Sequence, residues 1–150
     1  TCVAAFLLLH ILGARYLYSN VPYDRWALAV WGHDLSSTFG LRRNHYDRLV
    51  HFAFGLLSIR PLQEIGVRHL RLSRRFVGYH AVAFVMMASA LYEIFEWGLT
   101  LALSPEDAGA YNGEQGDLWD AQKDMALAAV GAVVAVVVAT ARLATVVPRP

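Results

Sequence analysis

Apolar residues in this chain come in long blocks rather than in alternation, and charged residues interrupt those blocks at only a few places. From Phe76 to Leu103 the formal charges are Glu93 and Glu96, in a block longer than the roughly 20 residues a helix needs to cross a bilayer core. From Met125 to Val147 a stretch rich in Ala and Val is broken only by Arg142, and its Gly131 would let a neighbouring backbone approach closely. Residues 1–13 are apolar apart from Thr1 and His10, which predicts a third span whose upstream part is missing. The block 49–59 covers only about half the hydrocarbon thickness at 1.5 Å per residue. Extended back to His45 it takes in Asp47 and Arg48, which must then face protein or reach for the interface. It predicts a fourth span, with a re-entrant or interfacial helix as the alternative.

Two amphipathic connections join these blocks. Residues 22–32 open with Pro22 after the possible cap Asn20 and carry Trp26 and Trp31, the pattern of a short helix with its indoles in the headgroup belt. Residues 61–75 mix Leu62, Ile65, Leu70 and Leu72 with Arg68, Arg71, Arg74 and Arg75, which suits an anionic membrane surface. The predicted fold is therefore all-α: a polytopic transmembrane helix bundle of about four spans with short interfacial helices. Residues 1–150 form one integral membrane domain, truncated at its N-terminus. Thr1 already lies in an apolar run, and the residues before Arg15 lack the basic start and small-residue cleavage site of a signal peptide.

Composition agrees with this. Hydrophobic residues make up 57% of the chain and its mean hydropathy is +0.39, above the mix of a soluble domain. A net charge of +1 and an isoelectric point near 7.9 fall short of the strongly basic footprint of a nucleic-acid binder, which excludes nucleic acid as a partner. Cys2 is the single cysteine, so an internal disulfide and a multi-cysteine metal site are excluded as well. The loop from Ser104 to Ala121 has no Lys or Arg and holds Glu106, Asp107, Glu114, Asp117 and Asp120. Residues 14–48 and 60–75 hold five arginines each, but the second group is denser and directly adjoins a long span, so the positive-inside rule places residues 60–75, Arg142 and Arg149 in the cytoplasm and the acidic loop outside.

That threading gathers the polar groups at the outer face: His10 and Arg15, then Asp47, Arg48 and His51, then Glu93 and Glu96, then Asp120 and Asp124. Asp47 and His51 are four residues apart, Glu93 and Glu96 three, and Asp120 and Asp124 four, so each pair shares one helix face. Ionisable residues cost at least about 2.5 kcal/mol each inside a membrane, so they point inward and pair. Arg48, His51, Glu93, Glu96, Asp120 and Asp124 are the candidate ligand-binding residues. Asp47, His51, Glu93, Glu96 and Asp124 form the candidate set for a divalent metal, being mostly oxygen donors with one imidazole.

The bland alternative is an internal salt-bridge network in which Arg48, Arg15 and Lys123 neutralise the carboxylates and fasten the helices together. Asp120 and Asp124 also suit a helix N-terminus without any chemical role. Tyr16, Tyr18, Tyr23, Trp97 and Trp119 fit an aromatic belt, and Met86 and Met87 fit helix packing better than copper binding. There is no serine-hydrolase elbow, P-loop or dinucleotide motif.

Four strings in order, LHILGARYLYSNVPYD (9–24), RNHYDRLVHFAFGLL (43–57), YEIFEW (92–97) and GEQGDLWDAQKDMALAAVGA (113–132), resemble the YjdF-type family of bacterial inner-membrane proteins, domain of unknown function 2238. The resemblance implies a multi-pass inner-membrane location and further membrane segments upstream. Asp47, Arg48, His51, Phe52, Glu93 or Glu96, Asp124 and Gly131 are also similar to a shorter pattern of VanZ-like membrane proteins, a family linked to glycopeptide tolerance. The Trp/Tyr-rich stretch 16–31 departs from that pattern. Three functions stay open. The first is binding of an envelope lipid headgroup, cation or small ligand at an outward-facing pocket, with membrane lipids as partners. The second is an enzyme, metal-dependent or not, on a lipid-linked substrate. The third is a structural or assembly protein.

Overall fold

The structure, a computed structural model, describes residues 1–146, apart from the side chains of residues 74, 75 and 140–146. Val147, the expected end of the last span, and Arg149 lie outside the described residues, as do the side chains of Arg74, Arg75 and Arg142 used above for orientation. The chain is helical throughout, with no strand among the described residues. In order come α1 (Cys2–Arg15), α2 (Tyr23–Trp31), α3 (Leu35–Phe39), α4 (Tyr46–Arg68), α5 (Arg74–Ala102), α6 (Pro105–Asn112) and α7 (Asp120–Val146). Helix α4 is central, packing against α1, α5 and α7, most extensively against α7.

Three seams built on a spacing of four residues explain this packing. On α4 the seam is Asp47, His51, Gly55 and Ile59; on α5 it is Val77, Ala81, Val85, Ser89 and Glu93; on α7 it is Asp120, Asp124, Ala128 and Ala132. All are buried except Glu93, which is partly so. Residues four apart lie one above another on a helix, so each seam is a continuous inward face. At one end of the bundle the seams are Ile, Val and Ala, and at the other they turn to carboxylate, imidazole and hydroxyl. Close approach of α4 and α7 depends on glycine. A side chain at Gly55 would strike the carbonyl oxygen of Ala128, and one at Gly131 would strike that of Phe52.

Two helices are long and apolar enough to cross a membrane, Phe76–Ala102 and Asp120–Ala139. Only 17% and 22% of their most apolar windows are buried within the protein, so the rest of that apolar surface faces outward, where lipid can cover it. The expected four spans are thus not all met. Helix α1 is apolar but short. Helix α4 reaches a spanning length of about 35 Å at 1.5 Å per residue, but Arg60, Gln63, Glu64 and Arg68 dilute its second half.

The expected separation of the block 49–59 from the connection 61–75 is not there either. Helix α4 runs through Pro61 to Arg68, and residues 61–75 are no separate interfacial helix. A proline forfeits one hydrogen bond to the preceding turn, and packing on both sides of α4 outweighs that loss. The α2 prediction agrees with the structure, with exposed Trp26 and Trp31, although Pro22 rather than Asn20 is the N-cap.

After α1 the chain reverses in a Schellman motif. Tyr18 N–H donates to the Gly13 carbonyl at 2.8 Å and Leu17 N–H to that of Ala14 at 3.3 Å, with Leu17 left-handed at φ 51°. Gly13 has no side chain to keep the Tyr18 ring away, so the ring folds back over α1, 1% exposed. Tyr18 is therefore a core residue and not a member of an interfacial belt. Burial pushes its phenol above the usual range.

Candidate cation and ligand site

The polar ends of the three seams meet. Helix α4 brings Asp47 and His51, α5 brings Glu93 and Glu96, and α7 brings Asp124; Asp47, Glu96 and Asp124 are 3%, 5% and 2% exposed. His51 Nε2 lies 3.6 Å from Asp47 Oδ1 and 3.7 Å from Glu93 Oε1. Two sets of three share this imidazole, Asp47–His51–Asp124 and His51–Glu93–Glu96, and within each set the ligand atoms lie within 4.8 Å of one another. Donors on one metal at about 2.1 Å are about 3.0–4.2 Å apart, so side-chain shifts of about an ångström would close either set.

Hydrogen bonding leaves the cluster unsatisfied. Asp47 Oδ2, Glu93 Oε1, Glu96 Oε1 and Asp124 Oδ1 are buried, and no donor among the described residues reaches them. Among the described residues no Lys or Arg forms an ion pair with any of these four carboxylates. Buried acceptors are ordinarily paired, and such a set calls for protons or a cation.

The basic residues serve a separate outer layer. Arg48 Nη2 lies 2.6 Å from Asp117 Oδ2 and 3.0 Å from Asp120 Oδ1. Arg43 Nη1 contacts Asp120 Oδ1 at 2.7 Å and donates to the Glu114 carbonyl, while Nη2 donates to that of Gly113. Lys123 Nζ reaches both oxygens of Asp117, at 2.8 and 2.5 Å. Asp117, in the loop before α7, is held well below the usual carboxylate range by Lys123 and then Arg48. Asn44 and Gln115 exchange backbone and side-chain hydrogen bonds at 2.9 Å. Loop 113–119 is thereby tied to the segment before α4 and forms a roof over the cluster. Beneath it Asn112 donates to the Glu96 carbonyl.

Sequence reasoning places Asp47, His51, Glu93, Glu96 and Asp124 together, as the structure does. Arg48 and Asp120 sit in the ion-pair layer instead. Arg15 joins no carboxylate among the described residues and lies over the Tyr16 ring at 5.6 Å. Arg43 has partners some seventy residues away in sequence, and no local spacing betrays such a pairing. Ser89 was missed too, although its place four residues before Glu93 puts it on the same seam.

The family description "Predicted membrane protein (DUF2238)" matches residues 1–145, including every element of this site. The chain belongs to the DUF2238 family. It is similar to the inner membrane protein YjdF of Escherichia coli (strain K12), with 33% identity over 138 residues, or 91% of this chain and 62% of that protein. The chain thus spans less than two thirds of this relative's length. No solved structure matches it. Together with its two apolar helices, the relationship places this family member in the bacterial inner membrane.

Proposed function

We propose that this protein binds a divalent cation at the Asp47–His51–Glu93–Glu96–Asp124 cluster, in a membrane-embedded site that opens toward the outer face and serves recognition of an envelope ligand. The observation that carries the proposal is the set of four buried carboxylates gathered round His51, whose free oxygens meet no hydrogen-bond donor, Lys or Arg among the described residues. A salt-bridge network accounts for Asp117 and Asp120 but leaves these four without counter-charge. Carboxylate oxygens with one imidazole suit a borderline or hard cation such as Mn2+, Fe2+ or Zn2+. Helices α1 and α4 complete a four-helix membrane core in this reading, α4 being shielded by its neighbours rather than by its own composition. The acidic loop 104–119, without Lys or Arg, supports the outward orientation.

Elemental analysis by mass spectrometry of the purified protein, beside Glu93→Gln and His51→Ala, tests this. Stoichiometric metal in the wild type and its loss in both variants are expected. A folded wild type that takes up no Mn2+, Fe2+ or Zn2+ when these are supplied would overturn the cation reading and leave a proton-sharing carboxylate cluster.

A further inference from the structure

Beside the cluster lies a partly open cavity of about 330 Å³ between α1, α4 and α5, at the lower end of the ~300–1,000 Å³ range of small-molecule sites. Its wall is of two kinds. Phe6, Leu7, Val50, Phe54 and Ala88 give one part an apolar surface. The other part is polar and includes Asp47 and His51, two residues of the cation cluster.

Ser89 lines the same cavity. It is 2% exposed, and its hydroxyl has no hydrogen-bond partner. A helical serine commonly bonds back to its own preceding turn, so a buried hydroxyl left free beside a cavity is a donor awaiting a ligand. His10 stands in the polar wall too, its Nδ1 engaged by the Tyr18 hydroxyl at 2.9 Å. In the tautomer in which Tyr18 donates to Nδ1, Nε2 carries the hydrogen and is a second donor. Cation, hydroxyl and imidazole N–H together recognise an oxyanion, and the apolar wall beside them recognises a hydrocarbon chain.

We infer that the cavity holds the first part of the apolar chain of a membrane amphiphile whose oxyanion head ligates the cation and accepts hydrogen bonds from Ser89 and His10. Placement of the head rests on the cation reading; placement of the chain does not. The four carboxylates would repel an oxyanion unless a cation stands between them, so binding of an anionic amphiphile must depend on metal.

The test uses radiolabelled dodecyl phosphate with the protein in phosphatidylcholine nanodiscs, after subtraction of empty nanodiscs, with Mn2+ or with EDTA. Saturable binding with Mn2+, weaker by about tenfold or more in EDTA, is expected. Inorganic phosphate should fail to compete at equal concentration. Ala88→Trp fills the cavity, and Leu7→Trp intrudes from a half-exposed position that tolerates bulk should Ala88→Trp not fold. Either should lose about tenfold in dodecyl phosphate affinity at unchanged Mn2+ stoichiometry, and Ser89→Ala should lose several-fold. Full binding by folded cavity-filling variants would overturn the chain placement. Equal binding in EDTA would overturn the head placement, even if Mn2+ stoichiometry by itself upheld the cation site. Equal competition by inorganic phosphate would make a free oxyanion the ligand instead.

Discussion

Gly113 sets its backbone directly against the carboxyl group of Asp47: a methyl group at residue 113 would come within 3.0 Å of Asp47 Cβ, Cγ and Oδ2. Position 113 is also left-handed, at φ 77°, where it caps α6. The roof loop is therefore shaped around the cluster below it by a glycine needed twice over, for its conformation and for its missing side chain. Arg43 holds that same glycine's carbonyl from the other side at 2.6 Å.

Gly113→Ala is expected to destabilise the protein by about 1–2 kcal/mol from backbone strain alone, with a further cost from pressing on Asp47. Gly109→Ala, a helical position whose added methyl group meets nothing within 4 Å, should leave stability unchanged or slightly raised. Thermal unfolding in detergent followed by tryptophan fluorescence compares the two, and equal melting temperatures would show that the Gly113 contact does not matter.

The parts of this architecture legible in the sequence are those with a local signature. Asp47 with His51, and Asp120 with Asp124, announce shared helix faces by spacing alone, because helical periodicity is fixed by backbone geometry. Gly131 was readable as a close-approach site because small residues in apolar helices have few other uses. The run of α4 through Pro61 was not legible, because the local cost of the proline is offset by contacts α4 makes on both sides, and those contacts leave no mark near residue 61. Asp120 and Asp124 stand together as candidate ligand-binding residues, although only Asp124 belongs to the candidate metal set. Only the arrival of Arg43 and Arg48 from distant segments separates an ion-paired Asp120 from a cluster carboxylate at Asp124.

Contact between α4 and α7 gives a second prediction. Gly55→Ala or Gly131→Ala should each destabilise the protein by about 1–3 kcal/mol, since the added methyl groups would overlap backbone atoms that cannot swing aside. Gly98→Ala, in the apolar helix α5 but with nothing within 4 Å of the added methyl group, should be close to neutral. The same melting experiment decides. A neutral Gly131→Ala would mean that the helices can separate at no cost.

Arg43 offers a third. Its side chain, 13% exposed, joins Asp120 to the carbonyl oxygens of Gly113 and Glu114. Truncation in Arg43→Ala removes charge-assisted hydrogen bonds to half-buried acceptors and is expected to cost about 1–3 kcal/mol. Arg43→Lys should recover only part of that, because an ammonium cannot span the fork of acceptors that the guanidinium fits. Limited proteolysis of loop 113–119 reports the change locally, and unchanged protection in Arg43→Ala would separate the roof from this residue.

Acid sensitivity of the roof supplies the last prediction. Asp117 is held below the ordinary aspartate value of 3.8 by Lys123 and Arg48, so its unfolded form takes up a proton before its folded form does. Its contribution to stability is therefore complete above pH 3.8 and is lost as pH falls through the depressed folded value. Asp117→Asn cannot titrate. The difference in stability between wild type and this variant should be constant from neutral pH down to about 4 and should then shrink as the pH is lowered further. Buried carboxylates elsewhere are common to both proteins and cancel in that difference. Urea unfolding of the two proteins at matched pH values measures it. A difference that does not change between neutral pH and pH 3 would mean that Asp117 carries the same proton affinity folded and unfolded, and that the roof is held by Arg43 and the Asn44–Gln115 pair without it.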